Sequence, residues 1–242
     1  MQAVFWLELV HNETMPALSS YESFVDTNID PPIRGFLHQP TDPNGVGLIL
    51  THGAGANCSS SLLIAISAGF ADNGFTVLRC DLPFRQARPF GPPHPGQAAR
   101  DREGLKRAVE AMRKKLSGKI FLGGHSYGGR TATMLCAEEP ELVNGLLLLS
   151  YPLHPPRKPE QLRTQHFPKL QTKALFIHGT RDPLGLIGEM EEALRLIPGR
   201  KMLFPIEGAG HDLGFQGKKQ NPLLAPMVVR KFTDFFEIQM QN

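Results

Sequence analysis

Short apolar runs separated by helix-like segments constrain the fold of this chain more than any other feature of its sequence. The runs occupy residues 46–51, 75–80, 119–122, 146–149, 174–177 and 201–206. Unbroken apolar runs of this length predict strands buried on both faces, which is typical of parallel sheets covered by helices. Between them, apolar residues at helical spacing predict helices over residues 59–70, 97–116, 131–139, 187–197 and 222–240. The expected fold class is therefore α/β, with one open, mostly parallel sheet and helices on both faces.

The remaining segments carry weaker patterns. Residues 4–10 and a run around residues 33–37 predict edge strands, and the Pro- and Gly-dense residues 81–96 predict a long irregular loop. About two dozen residues separate the runs ending at 149 and beginning at 174, which leaves no room for a large cap. We expect one domain over residues 1–242, with residues 1–32 as an N-terminal edge-strand region.

Charge and cysteine usage exclude several function classes. The formal net charge is +3, and the basic residues are spread among acidic ones, so no nucleic-acid partner is expected. Cys58, Cys80 and Cys136 lie far apart, which predicts buried thiols in a reducing, cytoplasmic compartment rather than disulfides or a zinc site. The run 4–10 is too short to span a bilayer and has no basic start, so we expect neither a membrane anchor nor an export signal.

A G-x-S-x-G sequence stands where a predicted strand meets a predicted helix, at residues 124–128. A side chain at a sharp strand-to-helix turn is lifted above the sheet, and neighbouring glycines relieve the crowding. We therefore interpret Ser126 as a nucleophile. On this motif alone, a glycine-rich turn that serves only packing is an equally good explanation.

Three further loops at the carboxyl ends of strands provide what a nucleophilic serine needs. His211 follows the last strand and is the candidate general base, and Asp182 is the candidate carboxylate that orients it, preferred over Glu207, which is too close to His211 along the chain. The backbone N–H groups of Tyr127 and Ala54 are the candidate oxyanion hole, with Gly55 as the second choice to Ala54.

Other polar residues near these loops have structural interpretations. His125 precedes the nucleophile and is expected to pack against neighbouring loops rather than to contact substrate. Arg85 belongs to a group of arginines flanking the proline-rich loop, where structural salt bridges are expected more than a cationic rim for an acidic substrate. The spacing of the remaining histidines is not typical of a metal site, and none is expected.

Taken together, the motifs resemble the α/β-hydrolase superfamily, and within it the small lidless group related to dienelactone hydrolases and to the KANL/Tex-type hydrolase-like proteins. The resemblance rests on Thr51-His-Gly-Ala-Gly55, Gly124-His-Ser-Tyr-Gly-Gly129, His178-Gly-Thr-Arg-Asp-Pro183 and Gly208-Ala-Gly-His211. It implies a Ser126, Asp182, His211 triad without a cofactor or metal. It also implies that a protein partner is conceivable, since some KANL/Tex-type members are better known as parts of assemblies.

These observations predict a carboxylesterase-like serine hydrolase that acts on a small ester-type substrate through an acyl-enzyme. Two alternatives stay open at this point. The first is a noncatalytic interaction module that has kept the fold. The second is an amidase or peptidase that uses the same triad.

Overall fold

A single twisted sheet forms the centre of the protein. The computed structural model describes residues 20–215 and 220–239, and its eight strands lie in the order β1-β2-β4-β3-β5-β6-β7-β8. The antiparallel part comprises β1 (Tyr21–Asp26) and β2 (Ile33–His38), with β2 pairing antiparallel to β4. All other neighbours are parallel, and their strands are β3 (Gly47–Thr51), β4 (Thr76–Cys80), β5 (Ile120–His125), β6 (Gly145–Leu149), β7 (Ala174–Gly179) and β8 (Lys201–Ile206). The parallel register places the carboxyl ends of β3 to β8 along one edge.

Helices cover both faces of this sheet and divide the apolar interior into two layers. The helices are α1 (Ser61–Ala71), α2 (Pro83–Ala87), α3 (Ala98–Lys115), α4 (Tyr127–Glu138), α5 (Ile187–Leu194) and α6 (Leu224–Phe236). One core layer contains buried residues of α3, α4 and α5, and the other contains buried residues of α1 and α6. Strand β3 contributes to both layers, because Ile49 faces the first and Leu48 and Leu50 face the second. This two-sided burial confirms the predicted α/β class.

The N-terminal part of the sheet differs from the sequence-based expectation. The run at residues 33–37 does form a strand, β2, but it is not an edge strand because β1 and β4 flank it. The edge is β1, whose residues are mostly exposed and whose sequence lacks the alternation of apolar and polar residues that predicts a strand. The predicted strand at residues 4–10 lies outside the described residues. The segment 81–96 is not wholly irregular either, since Pro83 begins the short helix α2.

Three partly or fully buried histidines predict that the fold loses stability in mild acid. Burial is the main cause that lowers the pKa of His38, His125 and His166 to about 4, from an ordinary value of 6.5. Between about pH 6.5 and pH 4 the unfolded chain therefore binds more protons than the folded chain. The free energy of unfolding is expected to be constant above this window and to fall as the pH drops through it, by up to about 1.4 kcal/mol per pH unit for each histidine.

Urea denaturation between pH 7.5 and pH 5 measures this dependence. His166→Gln is expected to reduce the pH dependence of the free energy of unfolding. Replacing the exposed His94 by glutamine serves as the control and is expected to leave this dependence unchanged. A free energy of unfolding that does not vary with pH in this window would contradict the prediction.

Candidate active site

The turn between β5 and α4 holds Ser126 in a strained backbone conformation. Its φ of 51° and ψ of −115° lie in a region that a residue with a side chain rarely adopts. The flanking glycines make the turn possible: a Cβ at Gly124 would lie 2.7 Å from the carbonyl oxygen of Thr51, and a Cβ at Gly128 would lie 2.7 Å from that of His52. The side chain of Ser126 therefore projects at the carboxyl edge of the sheet, as the G-x-S-x-G sequence predicts.

The structure brings Ser126, His211 and Asp182 together in a hydrogen-bonded line. His211 Nε2 lies 2.8 Å from Ser126 Oγ, and His211 Nδ1 lies 2.7 Å from Asp182 Oδ2. Asp182 is completely buried, whereas Ser126 is 9% exposed. The geometry suits transfer of the serine proton to Nε2 while the carboxylate holds Nδ1–H.

Two further contacts orient Asp182. Its second oxygen, Oδ1, accepts the backbone N–H of Leu184 at 2.9 Å, so the two carboxylate oxygens have different partners. His178 lies on the other side, with Nε2 3.6 Å from Asp182 Oδ2 and 2.7 Å from the carbonyl oxygen of Gly185. Burial lowers the pKa of His178, which leaves it neutral and able to donate Nε2–H to that carbonyl. Glu207, the rejected alternative, is bonded to Thr180 Oγ1 at 3.4 Å.

His125 supports the backbone of the candidate base. Its Nε2 lies 2.8 Å from the carbonyl oxygen of His211, and the two rings pack with centroids 5.0 Å apart. A carbonyl oxygen only accepts, so His125 Nε2 carries the proton. Burial, reinforced by the charge of His211, lowers its pKa to about 4 and keeps the ring neutral. His125 thus packs against the loop after β8, as the sequence analysis expects, and positions His211.

The loop after β3 lies directly against the nucleophile. A Cβ built on Gly53 would lie 3.4 Å from Ser126 Cβ and 3.1 Å from His125 Nδ1. Across the described residues, the backbone N–H groups of Ala54 and Tyr127 have no hydrogen-bond acceptor. The Tyr127 side chain is held by its hydroxyl, which donates to the buried Asp101 Oδ2 at 2.8 Å. The N–H groups of the two candidate oxyanion donors are therefore not occupied by another acceptor among the described residues.

Arg85 is a structural element of the site whose role the sequence analysis did not identify. Arg85 is buried, and its side chain donates from Nε to the carbonyl oxygen of Ala56 at 2.8 Å and from Nη2 to that of Ala54 at 2.7 Å. The same Nη2 also donates to Gly91 O at 3.0 Å. Arg85 forms no salt bridge with the described carboxylates and instead binds backbone carbonyls, which ties the loop after β3 to the proline-rich loop after α2. No sequence pattern marks such a contact.

Residues 20–215 and 220–239 were also compared with the requirements of a metal site and of a membrane-spanning helix. No group of three His, Cys, Asp or Glu side chains is placed there to hold a metal ion. None of the helices in those ranges has the length and apolar character needed to cross a membrane. The three cysteines are free and buried.

Comparison with known proteins identifies chains of similar fold. A family model described as "Alpha/beta hydrolase domain" matches residues 44–230. A dienelactone hydrolase from Anabaena variabilis has 20% sequence identity and a TM-score of 0.70, and the match covers 93% of this chain and 100% of that chain. A lidless α/β serine hydrolase from Xanthomonas campestris has 14% identity and a TM-score of 0.68, with 91% and 95% covered. Est1E from Butyrivibrio proteoclasticus has 16% identity and a TM-score of 0.67, with 92% and 100% covered.

Proposed function

Because the chain belongs to the α/β-hydrolase family, we propose that it is a serine hydrolase that cleaves small ester-type substrates through an acyl-enzyme. The observation that carries the proposal is the line of hydrogen bonds from Ser126 Oγ to His211 Nε2 at 2.8 Å and from His211 Nδ1 to Asp182 Oδ2 at 2.7 Å. A serine hydroxyl is a poor nucleophile near neutral pH, and this line supplies the base that removes its proton.

In the first half of the reaction, Ser126 Oγ attacks the substrate carbonyl carbon while its proton moves to His211 Nε2. The carbonyl π electrons move to oxygen and form a tetrahedral oxyanion. When that intermediate collapses, the bond to the leaving oxygen breaks and the leaving group takes the proton from His211. Water then repeats the sequence on the acyl-enzyme, with His211 as base and then acid, and releases the carboxylic acid and free Ser126.

Two electrostatic features lower the barrier in this scheme. Buried Asp182 stabilises the positive imidazolium that exists while His211 holds the extra proton. The N–H groups of Tyr127 and Ala54 bind the oxyanion, and each such donor contributes roughly 3 kcal/mol in the transition state. Tyr127 stands at the first position of α4, so the positive end of that helix favours the same charge.

The loops around the site support a modest, open substrate pocket. The chain between β6 and β7 contains a single 3₁₀ turn, Phe167–Lys169, and no α-helix that would act as a cap. Phe90 is 82% exposed beside Gly91, which Arg85 ties to the loop after β3, and it offers an apolar contact for an acyl or aryl group. Ferulic acid has been seen bound to the similar Est1E. A small ester with an apolar or aromatic group is the substrate class that we propose.

Covalent labelling followed by substrate profiling tests the proposal. We expect a fluorophosphonate probe to add one adduct that maps to Ser126, and nitrophenyl esters to be hydrolysed faster than matched thioesters and anilides. Faster cleavage of the anilides would assign the site to amidase chemistry. Absence of both labelling and turnover would refute the hydrolase proposal and favour a noncatalytic role.

Arg85 is expected to affect the rate although it does not contact the substrate carbonyl in this scheme. Arg85→Gln removes the donors to Ala54 O and Ala56 O, so the loop after β3, which carries the candidate oxyanion donor Ala54, is free to shift. A displacement of about 1 Å at a reacting group costs on the order of 10²-fold in rate. Steady-state kinetics should therefore show a fall in kcat with a smaller change in KM.

The exposed Arg195, which follows the last residue of α5, provides the control for this variant. Arg195→Gln should keep wild-type kinetics. If Arg85→Gln changes only KM, or only the thermal midpoint, the positioning role is wrong.

A further inference from the structure

A polar cavity lies beside the first turn of α4, and none of Ser126, His211 and Asp182 lines it. It has a volume of about 590 Å³ and is bounded on one side by Arg130 and on the other by the segment 155–165. Its wall is polar and contains two arginines, Arg130 and Arg163, with a single acidic residue, Glu160. The cavity is large enough for a small molecule that carries an anionic group.

The two arginines carry charges that the described residues do not neutralise. Neither Arg130 nor Arg163 has a carboxylate oxygen within 4.0 Å in the described part of the chain. The nearby Arg102 differs, since it pairs with Glu138 at 3.0 Å. A partly buried arginine without a counter-ion is unfavourable, because it loses hydration without gaining an ion pair.

Arg130 also has an unused donor. Its Nε is buried and has no hydrogen-bond partner among the described residues, although buried guanidinium N–H groups are normally bonded. Its backbone N–H donates to Ser126 O at 3.0 Å, so the base of this side chain is fixed to the nucleophile turn. The positive field of Arg130 reaches its neighbours: after burial, it is the largest cause that lowers the pKa of both Arg163 and His166.

Arg163 is held in place by its own backbone rather than by an ion pair. Its N–H donates to Leu153 O at 2.8 Å, and its carbonyl oxygen accepts the hydroxyl of Tyr151 at 2.6 Å. Its Nη1 makes one long contact, 3.4 Å, with Pro152 O, and the other donors of the fork remain for a ligand. Two guanidinium groups on anchored stretches of backbone line one cavity and match the multidentate oxygen acceptors of carboxylate and phosphate.

We infer that the cavity between α4 and the segment 155–165 binds an oxyanion, such as a carboxylate or phosphate group, between Arg130 and Arg163. The occupant is either a free anion or the acidic end of a substrate molecule, and the same chemistry recognises both. Glu160 on the rim opposes binding and limits the affinity.

Inorganic phosphate is the probe for this site, because its binding is measured without turnover and so does not depend on the proposed hydrolase activity. Calorimetric titration at constant ionic strength, balanced with sodium chloride, is expected to show one phosphate bound to the wild-type chain. Arg130→Gln and Arg163→Gln should each weaken binding about 10-fold to 100-fold, since each removes charged hydrogen bonds. Glu160→Gln should tighten it, and Arg195→Gln should match the wild type.

Equal phosphate affinity in all of these variants, or no binding to the wild-type chain, would overturn the inference. Circular dichroism and the thermal midpoint report whether Arg130→Gln is folded. If it is not, Arg130→Lys replaces it, and the loss of the bidentate fork should still weaken phosphate binding relative to Arg195→Gln.

The source of the anion is separated by comparing two esters, a neutral nitrophenyl ester and one whose acyl chain ends in a carboxylate. If the substrate supplies the anion, Arg163→Gln lowers the ratio of kcat/KM for the acidic ester to that for the neutral one. If a free anion occupies the site, the ratio is unchanged while phosphate binding is still weakened. Both results support an oxyanion site and identify its occupant.

Discussion

Ser126→Ala is expected to lower kcat for ester hydrolysis on the order of 10⁶-fold and to abolish fluorophosphonate labelling. The variant loses only the hydroxyl group, whose oxygen lies 2.8 Å from His211 Nε2, so the attack on the carbonyl carbon has no nucleophile. His211→Ala should cost about as much, because the hydroxyl without its base is equally ineffective. The double variant should be no worse than either single variant, since the two side chains act as one unit.

A matched serine provides the control for this prediction. Ser150 directly follows the neighbouring strand β6, is completely buried and has a positive φ of 49°, as Ser126 has a positive φ of 51°. Its Oγ has no hydrogen-bond partner among the described residues, so Ser150→Ala should retain wild-type kcat and labelling. Comparable activity of Ser126→Ala and wild type in single-turnover assays would exclude Ser126 as the nucleophile.

Asp182→Asn is expected to lower kcat by about 10⁴-fold while the protein stays folded. The backbone N–H of Leu184 already binds Oδ1 at 2.9 Å, so the asparagine oxygen stays with that donor and its NH₂ group faces His211. His211 Nδ1 must then accept, which places the ring proton on Nε2, the atom that has to take the proton of Ser126. The imidazole is held in the wrong tautomer.

Glu207→Gln is the control that tests the choice between the two carboxylates. Glu207 is exposed and contacts Thr180 rather than His211, so its variant should retain near wild-type kcat. A large loss in Glu207→Gln together with near-normal activity in Asp182→Asn would reverse the assignment. Stopped-flow measurement of the acylation burst distinguishes a slower chemical step from slower product release.

The sequence predicts the central part of the fold well, because a strand that is buried on both faces appears in the sequence as an unbroken apolar run. The middle of strand β3 is apolar on both faces, at Leu48, Ile49 and Leu50, because helices cover both sides of it. Strand β1 at the edge has no such requirement, and its exposed polar residues resemble a loop. Because the sequence of β1 does not predict a strand, β2 becomes the predicted edge strand.

The candidate site likewise contains residues that the sequence predicts and residues that it does not. Ser126, Asp182 and His211 follow predicted strands, so the parallel sheet dictates that they meet at one edge. Arg85 reaches the carbonyl of Ala54 across 31 positions of the chain, and a bond from a side chain to a distant backbone carbonyl leaves no spacing or composition to detect. The support that His125 and His178 give to the site depends likewise on loop paths that only the three-dimensional structure defines.

The backbone carbonyls that Arg85 binds, among them those of Ala54, Ala56 and Gly91, imply that substrate recognition and catalytic rate are linked in this protein. One guanidinium holds both the loop that lies against the nucleophile and the loop that carries Phe90, so a mutation or insertion in either loop is transmitted to the other. Changing specificity through the proline-rich loop would therefore also alter turnover. Divergence of this pocket within a lineage is expected to proceed by paired changes in the two loops, with the arginine retained as their common anchor.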